Sequence, residues 1–302
     1  MKTFNTLCDR TGLVMTLVFL LASLPLLAQD EPKEKEDDGM KPVRGTFESS
    51  WIIDNQTVGV PAKGTLEFMI QHRFGTVSNG IKDLWGLYAP SNIRLGLSYT
   101  LFGNLGFGAL KGPLSIGIGS TKDNYIQDVN VKYGFLTQTR NNSIPVSVTY
   151  YGNIAMTTSK PEEELPNANT SDRFSYFHQL IIARKFSPKL SLQVSPSVSH
   201  YNVVDPGLEN DHFAVALGGR FKISPQSAII FNIDQPITKH KINNPQPNVS
   251  FGIEIATSAH AFQIFATSYS AIVPQQNNVF NQNDPWDKGF RIGFNITRLW
   301  SF

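Results

Sequence analysis

The 302-residue chain contains one cysteine, Cys8. It precedes an apolar run, Leu13 to Ala28, which with Lys2 and Arg10 as its basic start reads as a secretory signal peptide over residues 1–28. Processing near Ala28 removes Cys8 and leaves a chain without thiols. That excludes a disulfide framework, a zinc–thiolate site, an iron–sulfur cluster and a cysteine nucleophile. Charge is also scarce: 17% of residues are charged and the net charge is +2, which gives no basis for a nucleic-acid partner. Beyond Ala28 no apolar run approaches the roughly 20 residues of a membrane-crossing helix. No segment carries a convincing helical amphipathic period either.

What is present divides into blocks. Residues 29–42, with Asp30, Glu31, Glu34, Glu36, Asp37 and Asp38 against Lys33, Lys35 and Lys41, form an acidic, disordered linker with little apolar surface to bury. Residues 43–63 hold Trp51-Ile52-Ile53, apolar enough to anchor. This segment either packs inside a barrel or caps its periplasmic mouth.

From residue 64 onward apolar and polar residues alternate with period two, as in strands with one apolar face. Leu66, Phe68, Ile70 and Phe74 oppose Glu67, Gln71 and Arg73; Val249, Phe251, Ile253 and Ile255 oppose Ser250, Gly252 and Glu254. The pattern predicts strands at 64–74, 91–102, 113–121, 125–138, 144–156, 173–186, 190–203, 212–223, 227–236, 248–257, 260–271 and 288–302. Short turns such as Ser187-Pro188-Lys189 alternate with long polar loops at 75–90, 157–172, 204–211, 237–247 and 272–287. An even number of strands with short turns at one end and long loops at the other predicts an all-β fold: a transmembrane, antiparallel, up-and-down β-barrel of about 12 strands, residues 64–302. Such interleaving also explains a mean hydropathy of only −0.16 in a membrane protein.

The last strand places Phe290, Ile292, Phe294, Ile296, Trp300 and Phe302 on one parity and ends on an aromatic residue. This resembles the C-terminal signal of outer-membrane proteins, which implies the barrel-assembly machinery as a partner through Phe302, and outer-membrane lipid as its surroundings in a Gram-negative bacterium. The stretches Gly64 to Gly75, Leu84-Trp85-Gly86-Leu87 and Asn92 to Tyr99 resemble the start of a bacterial outer-membrane barrel family known only as a domain of unknown function. Val131-Lys132-Tyr133, Arg184-Lys185-Phe186 and Gly252 to Phe265 extend the likeness. The resemblance implies the barrel and no reaction.

For function, the inward parity offers lumen-lining candidates: Glu67, Arg73, Arg94, Lys132, Arg220, Lys222, Asp234, Glu254 and Arg291. Charges of both signs either line a pore or pair across it. Trp85, Tyr88, Trp286, Trp300 and Phe302 are assigned to aromatic belts at the membrane interfaces. The six histidines, at 72, 178, 200, 212, 240 and 260, show no metal-ligand spacing, and no serine stands in a nucleophile elbow. No catalytic residue, metal or cofactor is therefore expected. The leading expectation is a narrow pore, passive transport channel or structural barrel for an unknown small solute. The alternatives are an outer-membrane enzyme acting on lipid or surface glycan, and a soluble periplasmic binding module.

Overall fold

A computed structural model describes residues 41–108, 110–159, 169–287 and 289–302. The expected signal peptide and all of the acidic linker except Lys41 and Pro42 lie outside the described residues.

Two short strands, β1 (Trp51–Ile52) and β2 (Asn55–Gln56), pair as a hairpin of their own. Twelve longer strands then close into one antiparallel barrel. They are β3 (Thr65–Thr76), β4 (Asn92–Phe107), β5 (Leu110–Thr121), β6 (Ile126–Leu136), β7 (Ser147–Thr157), β8 (Phe174–Lys185), β9 (Leu190–Tyr201), β10 (Asp211–Lys222), β11 (Ser227–Pro236), β12 (Asn248–Ala256), β13 (His260–Thr267) and β14 (Arg291–Ser301). Each strand pairs with its sequence neighbour, and β14 closes the ring against β3, with Ile296 opposite Ile70 and Ser301 opposite Thr65. Closure gives every strand a partner on both sides. That is the condition for a sheet to stand in hydrocarbon, which offers no hydrogen bonds to backbone groups.

Gly64 makes the seam possible. It has φ +79°, and a side chain there would press against the carbonyl oxygen of Phe302, whose N–H donates to Gly64 O at 3.1 Å. The outward positions form the apolar band: Leu95, Leu97, Ile116, Ile118, Val129, Phe251, Ile253 and Ile264 are all exposed. The inward positions are polar and buried, among them Gln71, Thr149, Gln179, Ser195 and Asn232.

Three features depart from the period-two reading. β4 and β5 run past Phe102 and Pro113 into a protruding hairpin that exposes Leu105, Phe107 and Leu110. β13 stops at Thr267 rather than 271, because the following residues turn inward, where Tyr269, Ile272 and Val273 are buried. A short helix, α1 (Pro274–Phe280), then stands inside an expected open loop, with Gln275, Asn277, Asn278 and Val279 buried.

Candidate functional site in the barrel lumen

The lumen is occupied by the chain's own N-terminal segment. Lys41 and Val43 first tie to the turn-side connection after β6: Arg140 N donates to Lys41 O and Val43 N to Gln138 O. The chain then enters the barrel, and residues 49–57 are buried throughout. Trp51 meets Tyr151 edge-on at 6.3 Å, and the Arg94 guanidinium lies over the Trp51 ring. Ile52 and Ile53 join Phe177, Ile181, Ile230 and Phe265 in one apolar cluster. Burying apolar area at about 25 cal/mol per Å² favours this packing, and these are the anchors that the Trp-Ile-Ile run supplies.

A two-residue strand pair cannot satisfy its own backbone, and the barrel wall does so instead. Gln263 grips the hairpin with both ends of one amide: Nε2 donates to Trp51 O at 2.8 Å, and Oε1 accepts Ile53 N at 3.2 Å. Ile53 O accepts from Arg73 Nη2 and Asn295 Nδ2, Ser50 O from Lys132 Nζ, Gln56 O from Gln193 Nε2 and Val58 O from the Thr149 hydroxyl. These contacts hold Ile53 at φ +52°, a left-handed conformation that costs a β-branched residue on the order of 1–3 kcal/mol.

The tip carries the charge. Asp54 pairs with Arg73 at 2.8 Å, each side chain only 1% exposed. Next to it, Asn55 donates to Asn232 and Asp234 and accepts from Gln179. Two further pairs brace the wall: Arg94 with Asp128 at 2.7 Å, and Arg220 with Glu254 at 2.7 Å. Gly119 leaves room for the first, since a side chain there would collide with both Arg94 and Asp128.

The loop end is closed from the other side by α1. Gln275 Nε2 donates to Asn153 Oδ1 and Ser175 Oγ, while Asn278 Nδ2 reaches Ser197 and Ser199. His240 Nδ1 accepts the Glu209 N–H at 2.8 Å, so its Nε2 carries the hydrogen donated to Val279 O at 3.0 Å. His212 Nε2 lies 3.3 Å from the same Nδ1. Between the hairpin and the wall lies a cavity of about 30 Å³ lined by Ser50, Trp51, Gln56, Glu67, Arg94 and Lys132, room for about one water.

Of the lumen candidates, Glu67, Arg73, Arg94, Lys132, Arg220, Asp234 and Glu254 are buried inside the barrel. Lys222 and Arg291 are half-buried at its two rims, Lys222 at the turn end of β10 and Arg291 at the loop end of β14, where it donates to Phe74 O. Trp85, Tyr88, Trp286 and Phe302 are exposed; Trp300 is half-buried beneath the Arg298 guanidinium. The histidines are less scattered than their spacing suggests, because 212 and 240 meet. No cluster able to hold a metal occurs among the described residues. Asp54, Asn248, Ser250 and Thr267 did not stand out in the sequence. Only their inward parity, or the polar Asp-Asn after an apolar triplet, marks them.

The family model described as membrane bound beta barrel domain (DUF5777) matches residues 47–300. The chain belongs to this family. The match begins at Phe47, so the hairpin lies within the DUF5777 domain as the barrel does. No curated protein matches the chain in sequence. Among solved structures, this DUF5777 barrel is similar to KdgM porin, at 8% identity over 79% of this chain and 99% of that chain, with a TM-score of 0.45. An outer membrane channel from Pseudomonas putida F1 is similar at 10% identity, over 89% and 100% of the two chains, with a TM-score of 0.45. Outer membrane phospholipase A from Escherichia coli gives 12% identity, 79% and 93% coverage and 0.43. Likeness at this level concerns barrel architecture alone.

Proposed function

We propose that the protein is a narrow outer-membrane pore, closed in this conformation by its own N-terminal hairpin at one end and by α1 at the other. The observation that carries the reading is how the lumen is filled. In a purely structural barrel the inward side chains pair with one another across the interior. Here the wall's amides and hydroxyls, from Gln193, Gln263, Asn295, Thr149 and others, are directed at the backbone of a segment whose hairpin takes no part in the barrel's strand pairing. Removing that segment does not break the barrel's hydrogen-bonded ladder, so it is a stopper rather than a strand.

An enzyme reading finds less support. His200 and Asp211 form an exposed pair at 2.8 Å, but no serine or threonine hydroxyl is hydrogen-bonded to that imidazole among the described residues, and its ring neighbour is Tyr176.

The test is conductance in planar bilayers. Purified wild-type protein is expected to give rare, brief openings. A chain lacking residues 43–61 and carrying Gly-Ser in place of residues 274–280 is expected to conduct steadily. Silence from that variant, while heat-modifiable gel migration shows it folded, overturns the pore.

A further inference from the structure

The cage around Asp54 is a complete carboxylate receptor, and every part of it except the carboxylate belongs to the barrel wall. Arg73 places Nε and Nη2 on Oδ1 at 3.2 and 2.8 Å. On Oδ2, the Thr267 hydroxyl donates at 2.7 Å and Asn248 Nδ2 at 3.2 Å, while Ser250 Oγ, at 3.1 Å, divides its hydrogen between Oδ2 and Thr267. All four wall residues are buried.

The donors are held in place without Asp54. The Arg73 guanidinium rests over the Phe265 ring at 4.5 Å and gives Nη1 to Asn295 Oδ1. Asn248 has its Oδ1 occupied by Ser268 N and Oγ, which turns Nδ2 toward the lumen. The Thr267 hydroxyl accepts the Tyr269 N–H and lies between two acceptors, the carboxylate at 2.7 Å and Asn248 Oδ1 at 3.1 Å, so Asn248 keeps it in place when the carboxylate leaves. Preorganised donors of this kind keep their affinity when the occupant changes.

From this arrangement we infer that Arg73, Asn248, Ser250 and Thr267 form a binding subsite for the carboxylate of a small, soluble organic acid, and that Asp54 stands in for this ligand in the closed state. The inference rests on the pore reading for its purpose: withdrawing the hairpin takes away the carboxylate that pairs with Arg73, and a permeant carboxylate restores that pairing. The solute thereby favours the open state because it binds that state alone. Asp234 selects the charge. It accepts from the same Asn248 Nδ2 at 2.8 Å, so Arg73 is the one cation these donors set beside two carboxylates, and a second negative charge on the ligand would go unpaired. The class is thus the monocarboxylates.

The probe is sodium acetate, with sodium chloride at equal ionic strength and acetamide as controls, titrated into full-length protein in detergent. Asp54→Ala is expected to bind acetate saturably. Wild type, whose site is filled, and Asp54→Ala/Arg73→Met are expected to bind at least tenfold more weakly, and acetamide not at all. A folded Asp54→Ala that shows no saturable binding, or equal binding by the double variant, overturns the subsite. A second measurement does not depend on Asp54→Ala folding: in a Cys8→Ser chain with Ser49→Cys, acetate is expected to raise the maleimide labelling rate several-fold over chloride, and an unchanged rate overturns the inference. Neither readout requires conduction. Silent bilayers with acetate bound would sink the pore and keep the subsite, and conducting bilayers without acetate binding would do the reverse.

Discussion

Asp54 and Arg73 meet at 2.8 Å in the interior of the barrel, one on a tethered hairpin and the other on a wall strand, both withdrawn from solvent. Removing one partner of a buried pair costs about 3–5 kcal/mol, because the other charge is stranded. Arg73→Met is therefore expected to loosen the hairpin and raise labelling of a cysteine at position 49 by about two to four orders of magnitude. Asp54→Asn combined with Arg73→Met is expected to cost less than the two single changes added together. Labelling kinetics on the four chains measure this, and strict additivity would show the pair to be uncoupled.

Ile118 stands on the outward face of β5, 59% exposed, three residues from the strand's end at Thr121. If that face meets hydrocarbon, Ile118→Arg destabilises the barrel by about 2–4 kcal/mol at the bilayer midplane, and by far less near the interface. Reversible unfolding in lipid vesicles reads the difference. A neutral result would place this position outside the hydrocarbon.

His240 fastens α1 from both nitrogens, to Glu209 N and Val279 O. His240→Ala leaves those groups without it and is expected to free the helix without opening the barrel ladder. Val279, fully buried in the wild type, is the reporter. A cysteine there should become several-fold more reactive toward a maleimide in the variant, while heat-modifiable migration stays intact.

Asp83 organises the loop that displays Trp85 and Tyr88. Its carboxylate accepts from Asn79 Nδ2 and from the Gly86 N–H, both at 2.9 Å, and these bonds hold the carboxyl below its ordinary pKa. Because the folded value is depressed, the ordering is present above the ordinary carboxylate range and is lost as the pH falls through the depressed value. The Trp85 indole resonance is expected to change in that acidic window and to stay constant from there to neutral pH. In Asp83→Asn the dependence should vanish.

The barrel was legible because its physics is local. Alternation fixes which side chains face lipid, and Ser-Pro-Gln or Ser-Pro-Lys turns mark the strand ends, so β11 runs over the expected 227–236. The contents of the lumen were not legible for the opposite reason. Trp51-Ile52-Ile53 announces an anchored segment, but its register follows from Asp54 finding Arg73 and from Gln263 spanning Trp51 and Ile53, contacts that exist only once the ring is closed. α1 is similar. Gln275, Gln276, Asn277 and Asn278 offer no apolar stripe, because the surface they pack against is itself polar. The inward turn at Ser268 depends on Asn248, twenty residues earlier, accepting both its N–H and its hydroxyl.

The account stands on the hairpin being a movable stopper, and a reversible lock tests that most directly. Ser49 Oγ and Thr297 Oγ1 lie 3.1 Å apart, so cysteines at both positions fall within reach of a disulfide. In a Cys8→Ser chain with Ser49→Cys and Thr297→Cys, single-channel recordings should be silent when oxidised and regain wild-type openings on reduction. Openings of equal size and frequency in the oxidised and reduced protein would contradict the account.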